Sequence, residues 1–287
     1  MLYDFGVLQK EITQWEKEAG HRAESIGESV CGRPLYGLWM GSGRETAVIL
    51  AGFHGMEWIT SAVLMDYARH CLHVPPPVRL LLVPMVNPDG VEISLHGAQT
   101  AGAYAPQVRK ISPAPTHWQA NARGVDLNHN FPAGWETLRK MEIRAGILGP
   151  SPTRYGGEWP GSEPETQAVM RAIIDSGCHR VLALHSQGEE IYDDVGVGMQ
   201  PPGTRARAQK MAKSSGYTLK PQPQGLASLG GCKDWVQMAL HKQAFTVEMG
   251  KGQNPLPFQQ KQDIETHMVP LFADFLQPEP VAPNEKL

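Results

Sequence analysis

The stretch Ala47-Val48-Ile49-Leu50-Ala51-Gly52-Phe53-His54-Gly55-Met56-Glu57 joins an apolar run to the start of a helical pattern. The run reads as a buried strand and the residues after it as a helix, which places an imidazole and a carboxylate at a strand's carboxyl end. Residues at i and i+3 share one face of a helix start, so His54 and Glu57 can act together. The carboxyl edge of the strands is where ligands bind in open α/β sheets. Three protein ligands and a water make a catalytic zinc site, so a third ligand is needed in the same kind of place.

Val181-Leu182-Ala183-Leu184-His185-Ser186 supplies it, as another short β-type run ending in a histidine. A third run, Ala244-Phe245-Thr246-Val247-Glu248-Met249-Gly250, ends in a carboxylate. His54, Glu57 and His185 thus form a candidate metal set, for one zinc ion per chain, with Glu248 left over. Zinc lowers the pKa of a bound water to about 7. A spare carboxylate such as Glu248 can take that water's proton and hand it to a leaving amine. Either histidine alone reads as an ordinary core residue; the three together do not. A carboxylate inside an apolar strand, as at Glu248, is costly to bury without a purpose.

Several motifs fall in order along the chain: His54-Gly55-Met56-Glu57, Asn87-Pro88-Asp89-Gly90, Gly124-Val125-Asp126-Leu127-Asn128-His129-Asn130-Phe131, His185, Gly230-Gly231-Cys232-Lys233-Asp234-Trp235 and Glu248. In this order and spacing the chain resembles the zinc carboxypeptidase family. Through Ala120-Asn121-Ala122-Arg123-Gly124-Val125-Asp126-Leu127-Asn128-His129 and Leu184-His185-Ser186-Gln187-Gly188-Glu189-Glu190-Ile191-Tyr192 its closer likeness is to the bacterial γ-D-glutamyl-meso-diaminopimelate peptidases and murein peptide amidases. The resemblance implies a mixed, mostly parallel sheet of about eight strands between two helical layers, a three-layer α/β/α sandwich. It also implies that Glu248 is the general base, that Asp126 supports a zinc-ligand histidine, and that Asn128 binds a substrate carboxylate. Arg123 is the arginine nearest the place where the family stabilises the oxyanion, which here holds Trp118 and Gln119; a surface role for it stays open.

The chain departs from the family's ordinary carboxypeptidases where they hold a free C-terminal carboxylate. His129 stands where an arginine follows the asparagine, and Leu226 with apolar neighbours stands where a tyrosine precedes the Gly-Gly motif. Histidine is a weaker, titratable anchor than a bidentate guanidinium. By resemblance Lys233, directly before Asp-Trp, lies at the floor of the specificity pocket, where an ammonium would ask for a substrate carboxylate. The expected activity is hydrolysis of the γ-D-glutamyl amide to diaminopimelate in murein-derived peptides. An N-acyl amino-acid deacylase of the aspartoacylase type, an ordinary metallocarboxypeptidase and a silent binding module are the rivals.

Composition sets the frame. The chain has 287 residues, 41% hydrophobic, with a net charge of -3 and no blocks of lysine or arginine. One large core is expected, and neither nucleic acid nor a membrane surface is implied as a partner. The charged amino terminus and the lack of any long apolar run lead to the expectation of a cytoplasmic protein. Its four cysteines, widely spaced, are expected to be reduced.

Along the chain, helices are expected over Phe5–Ala19, Glu57–Leu72, Glu163–Ser176 with Ser162 as N-cap, Thr204–Ser215 and about Gln260–Leu276. Ala23–Val30 and Leu35–Met40 read as an antiparallel edge hairpin around a Cys31-Gly32-Arg33-Pro34 turn. Thr46–Phe53, Val78–Val86, Arg180–His185 and Phe245–Met249 read as buried strands. Gly97–Gly161 reads as a long functional loop region. Residues 1–276 are expected to form one catalytic domain, followed by a flexible proline-rich tail over 277–287.

Overall fold

The computed structural model describes residues 2–196 and 200–279. The chain begins with α1 (Phe5–Ala19), the hairpin β1 (Glu24–Glu28) and β2 (Pro34–Met40), then β3 (Thr46–Leu50), α2 (Ile59–His73) and β4 (Arg79–Val83). Next come α3 (Pro88–His96), α4 (Ala105–Ile111), α5 (Trp135–Arg144), α6 (Pro164–Asp175), β5 (Arg180–His185) and β6 (Glu190–Tyr192). It closes with α7 (Thr204–Ser215), β7 (Thr218–Lys220), α8 (Cys232–Leu240), β8 (Gln243–Glu248) and α9 (Lys261–Leu276).

The eight strands form one mixed sheet in the order β1-β2-β4-β3-β5-β8-β6-β7. The centre, β4-β3-β5-β8, is parallel; β1, β2 and β6 join antiparallel. Central side chains alternate cleanly between the two faces, as a pleated strand requires. Ala47, Ile49, Leu182, Leu184, Phe245 and Val247 pack under α1, α2, α7 and α9. Val48, Leu50, Val181, Ala183 and Ala244 pack under α6 and α8. Three layers result, and the parallel centre brings the carboxyl ends of β3, β5 and β8 to one edge.

α1 follows its pattern: Phe5, Leu8, Ile12 and Trp15 are buried, Asp4 accepts a hydrogen bond from Val7 N, and Gly20 closes the helix at φ 73°. The stretch 97–161 is less bare than its composition predicts, because it contains α4 and α5. α5 buries only Leu138 and Glu142, so it leaves no apolar stripe to read. α8 escapes the same reading because Lys233, Asp234 and Gln237 are buried beside its apolar residues. β6 and β7 are three residues each, too short for a periodic signal. Glu163, not Ser162, occupies the N-cap position of α6; the Ser162 hydroxyl donates to Glu163 Oε1 instead.

The first residues of the expected tail are tied down. The Gln277 carbonyl accepts from Arg180 and Arg207, and Glu279 pairs with Arg207. Residues 280–287 lie outside the described residues. The four cysteines are free thiols. Among the described residues no helix is long and apolar enough to cross a membrane.

Candidate metal centre and active site

β3 ends at Leu50, and the chain turns through Gly52 and Phe53 to set His54 at the sheet edge. A short 3-10 turn, Gly55–Glu57, then carries Glu57 back under the imidazole. Gly55 is there because nothing larger fits: a Cβ would lie 2.1 Å from the Gly90 carbonyl oxygen and 2.7 Å from that of Trp118. The Asn87-Pro88-Asp89-Gly90 motif makes the other side of this contact. Asn87 Nδ2 donates to the carbonyls of Phe53 and Gln119, locking the strand exit to the loop beyond.

His54 Nδ1 lies 2.9 Å from Glu57 Oε1, and His185 Nδ1, at the end of β5, lies 3.2 Å from Glu57 Oε2. The two Nδ1 atoms face each other at 3.3 Å. Behind His54, Nε2 meets Asp126 Oδ1 at 3.1 Å. Phe53 stacks on the His185 ring with centroids 5.2 Å apart. Zinc fits this donor set. Two imidazole nitrogens and a carboxylate are its ordinary ligands, and bonds of about 2.0–2.1 Å in a tetrahedron require ligand atoms about 3.3 Å apart.

The electrostatics agree. Burial alone would raise Glu57, but the His54 charge and the bonds from both rings bring its pKa down to about 2. Burial opposes charge on His54, yet Glu57 and Asp126 outweigh it and hold the imidazole well above its ordinary value. Asp126 is pushed well below the usual carboxylate range: burial opposes this, and the charges of His54 and His129 overcome it. Burial lowers His185. The site therefore demands one positive charge, which the His54 proton supplies when no cation does.

Glu248 stands beside His185 in the parallel register of β5 and β8. It has no hydrogen-bond partner among the described residues, and burial followed by the Glu57 charge raises its pKa well above normal. Both side chains open into a cleft of about 420 Å³ that also receives Asn128, His129, Tyr192 and Lys233. Asn128 accepts from Cys232 N at 3.0 Å through Oδ1, which leaves its amide nitrogen for the cleft. The imidazole of His129 is braced from behind, Nδ1 lying 3.0 Å from the fully buried Glu142.

The structure corrects two expectations. Arg123 does not reach the cleft: it sits in a separate hollow against the Tyr104 ring, with Glu163 3.6 Å from its guanidinium. Gln119 does line the cleft. Lys233 also lines it, but its ammonium is not available. Its three protons go to the Asp194 carbonyl at 2.5 Å, Gln222 Oε1 at 3.0 Å and Asp234 Oδ1 at 2.6 Å. Arg154 is among the cleft residues that the sequence reading does not single out. Arg154 lines the cleft from the loop before α6, in Thr153-Arg154-Tyr155-Gly156-Gly157, where no periodicity points to it. Only its place in a long Gly- and Pro-rich segment could have drawn attention.

Residues 14–277 match the zinc carboxypeptidase family, Peptidase_M14. The chain belongs to that family. As a zinc carboxypeptidase family member it is a metallopeptidase, and the family implies zinc at the His54-Glu57-His185 cluster. It is 36% identical over 282 residues to the uncharacterized protein YqgT of Bacillus subtilis, covering 90% of this chain and 73% of that one. It is 31% identical over 290 residues to the gamma-D-glutamyl-L-diamino acid endopeptidase 1 of Lysinibacillus sphaericus, covering 94% and 71%. Among solved structures, bovine thrombin-activatable fibrinolysis inhibitor shares the fold at a TM-score of 0.73 and 19% identity over 96% of both chains. The murein-tripeptide amidase of Escherichia coli O157 matches with a TM-score of 0.58 and 25% identity, over 91% of this chain and 93% of that one.

Proposed function

We propose that this metallopeptidase hydrolyses the γ-D-glutamyl amide to a diaminopimelate-type residue in murein-derived peptides, with one zinc ion held by His54, Glu57 and His185. The observation that carries the hydrolytic part is Glu248: a carboxylate with no partner among the described residues, in register with His185, opening into the same cleft. When bound, zinc lowers the pKa of a water to about 7 and polarises a carbonyl. Glu248 accepts that water's proton on its carboxylate as the oxygen attacks the γ-carbonyl carbon. It then delivers the proton to the leaving amine nitrogen as the C–N bond breaks. Asp126 fixes the tautomer and angle of His54 by holding Nε2.

Two features support the substrate class. One is the likeness to the gamma-D-glutamyl-L-diamino acid endopeptidase and the murein-tripeptide amidase. The other is the replacement of the guanidinium anchor of ordinary carboxypeptidases by His129, braced on Glu142. The test is a hydrolysis screen of the zinc-loaded protein, with L-Ala-γ-D-Glu-meso-diaminopimelate set against ordinary peptides ending in a free L-residue. Release of diaminopimelate with little action on the ordinary peptides is expected. The reverse preference would mean an ordinary carboxypeptidase, and cleavage of N-acyl amino acids alone a deacylase.

A further inference from the structure

We propose that Arg154 reads the α-carboxylate of the glutamyl residue, and so selects substrates that carry a carboxylate on the acyl side of the scissile amide. This rests on the function proposed above.

The cleft holds several positive or potentially positive groups, and among the described residues the guanidinium of Arg154 is the permanent charge without a partner. Lys233 is saturated by Asp194, Gln222 and Asp234, His129 is held by Glu142, and His54 and His185 belong to the metal cluster. Arg154 has an exposed side chain and no ion-pair or hydrogen-bond partner for its guanidinium among the described residues. Two of the carboxylates that line the cleft, Asp126 and Asp234, are likewise held by internal partners, while Glu248 is not. An anionic substrate entering here finds its free cation in Arg154. A guanidinium suits that task, because its planar fork takes a carboxylate with two parallel hydrogen bonds.

The backbone explains why this arginine is held where it is. Arg154 sits at φ 64°, a left-handed conformation that disfavours side chains larger than glycine. It is kept there by its own N–H, which donates to Asp126 Oδ2 at 2.8 Å, while the other oxygen of that carboxylate holds His54. On the next residue, the Tyr155 carbonyl accepts from Asp126 N at 2.8 Å. Just before, the Pro152 carbonyl accepts from Gln119 N and Ala120 N. The base of the side chain is therefore tied to the same aspartate that orients a metal ligand. Leu229, Gly231, Lys233 and Asp234 line the same cleft and are left for the leaving residue.

The experiment compares two substrates, L-Ala-γ-D-Glu-meso-diaminopimelate and the same peptide with the glutamyl α-carboxylate converted to an amide. They are assayed with the zinc-loaded wild-type protein, Arg154→Gln and Arg154→Lys. The wild type should prefer the free carboxylate by roughly 10- to 100-fold in kcat/KM, the range of a charged hydrogen bond. Arg154→Gln should erase that preference, chiefly through KM, and leave the amidated substrate within about twofold, while Arg154→Lys should restore part of it. Zinc content and melting temperature should match wild type in both variants, since Arg154 holds the loop through its backbone N–H and not through its side chain. Equal losses on both substrates, or an undiminished preference in Arg154→Gln, would overturn the assignment. Wild-type protein that cleaves both substrates equally sinks the role of Arg154 and leaves the proposed function standing. Wild-type protein that cleaves neither sinks the function itself.

Discussion

Replacing Lys233 with methionine separates a substrate reader from a brace inside the protein. Methionine keeps the length of the stem and removes the ammonium. Lys233 and Asp234 are buried alike, each side chain only 6% exposed, so screening by solvent is slight. The substitution removes hydrogen bonds to Asp194, Gln222 and Asp234, and strands the Asp234 carboxylate with its long contacts to Gly231 N at 3.3 Å and Gln222 Nε2 at 3.4 Å. Removing one partner of a buried pair costs about 3–5 kcal/mol. Since α8 starts at Cys232, the penalty falls on the first turn of the helix that walls the cleft. Denaturant unfolding of Lys233→Met should show that loss, with a melting temperature lowered by roughly 5–10 °C. Adding Asp234→Asn should recover part of it by removing the stranded charge. Because the ammonium is saturated, the ratio of kcat/KM on a diaminopimelyl peptide to that on its lysyl analogue should not move. A variant of wild-type stability whose ratio falls tenfold would refute the brace and restore Lys233 as a reader of the distal carboxylate.

Glu248→Gln keeps the shape of the cleft but removes the proton acceptor, so kcat should fall on the order of 10²-fold or more with zinc content unchanged; turnover at the wild-type rate would move the base elsewhere. Asp126→Asn should weaken zinc by roughly 10- to 100-fold in a chelator competition, since His54 loses the carboxylate that orients it; unchanged affinity would show that the ring needs no such support. Proton linkage gives a further test. In the metal-free protein His54 holds its proton above the ordinary histidine value of about 6.5, and zinc needs that nitrogen bare. Zinc binding near neutral pH should therefore release a proton and strengthen as pH rises through the raised value, seen by calorimetry in buffers of different ionisation enthalpy. The same shift stabilises the metal-free fold fully below the unfolded-state pKa and is lost as pH rises through the folded one, so its melting temperature should drop on that alkaline side. A buffer-independent binding heat would contradict the protonated His54.

The residues legible from sequence share one physical circumstance. His54, His185 and Glu248 each end an apolar run, and a parallel sheet converts the end of a run into a position in space, so the linear pattern carries the geometry with it. The fold was readable for the same reason: alternate residues of β3, β5 and β8 divide between two helical layers, and the apolar runs report that burial directly. Lys233 shows where this stops. Its place in the cleft could be inferred from the Gly-Gly motif, but its ammonium is paired with Asp234 and its remaining protons go to the Asp194 carbonyl and Gln222, which come from segments with no pattern of their own.

Arg123 and Arg154 make the limit sharper. Asn121 and Val125 close a tight turn: Asn121 N donates to the Val125 carbonyl at 2.8 Å, Gly124 adopts φ 76°, and the Asn121 side chain accepts from Arg123 N and Val125 N. At the tip of this turn Arg123 points to Tyr104 and Glu163, while Asp126, three residues later, faces His54. Nearness in sequence to the aspartate is therefore what carries Arg123 out of the cleft. Arg154 is 28 residues from Asp126 in sequence, yet its N–H is bonded to that carboxylate. A cleft built from loops recruits its charges through such backbone bonds, which leave no periodic trace, and the side chains they deliver become visible only once the chain is folded.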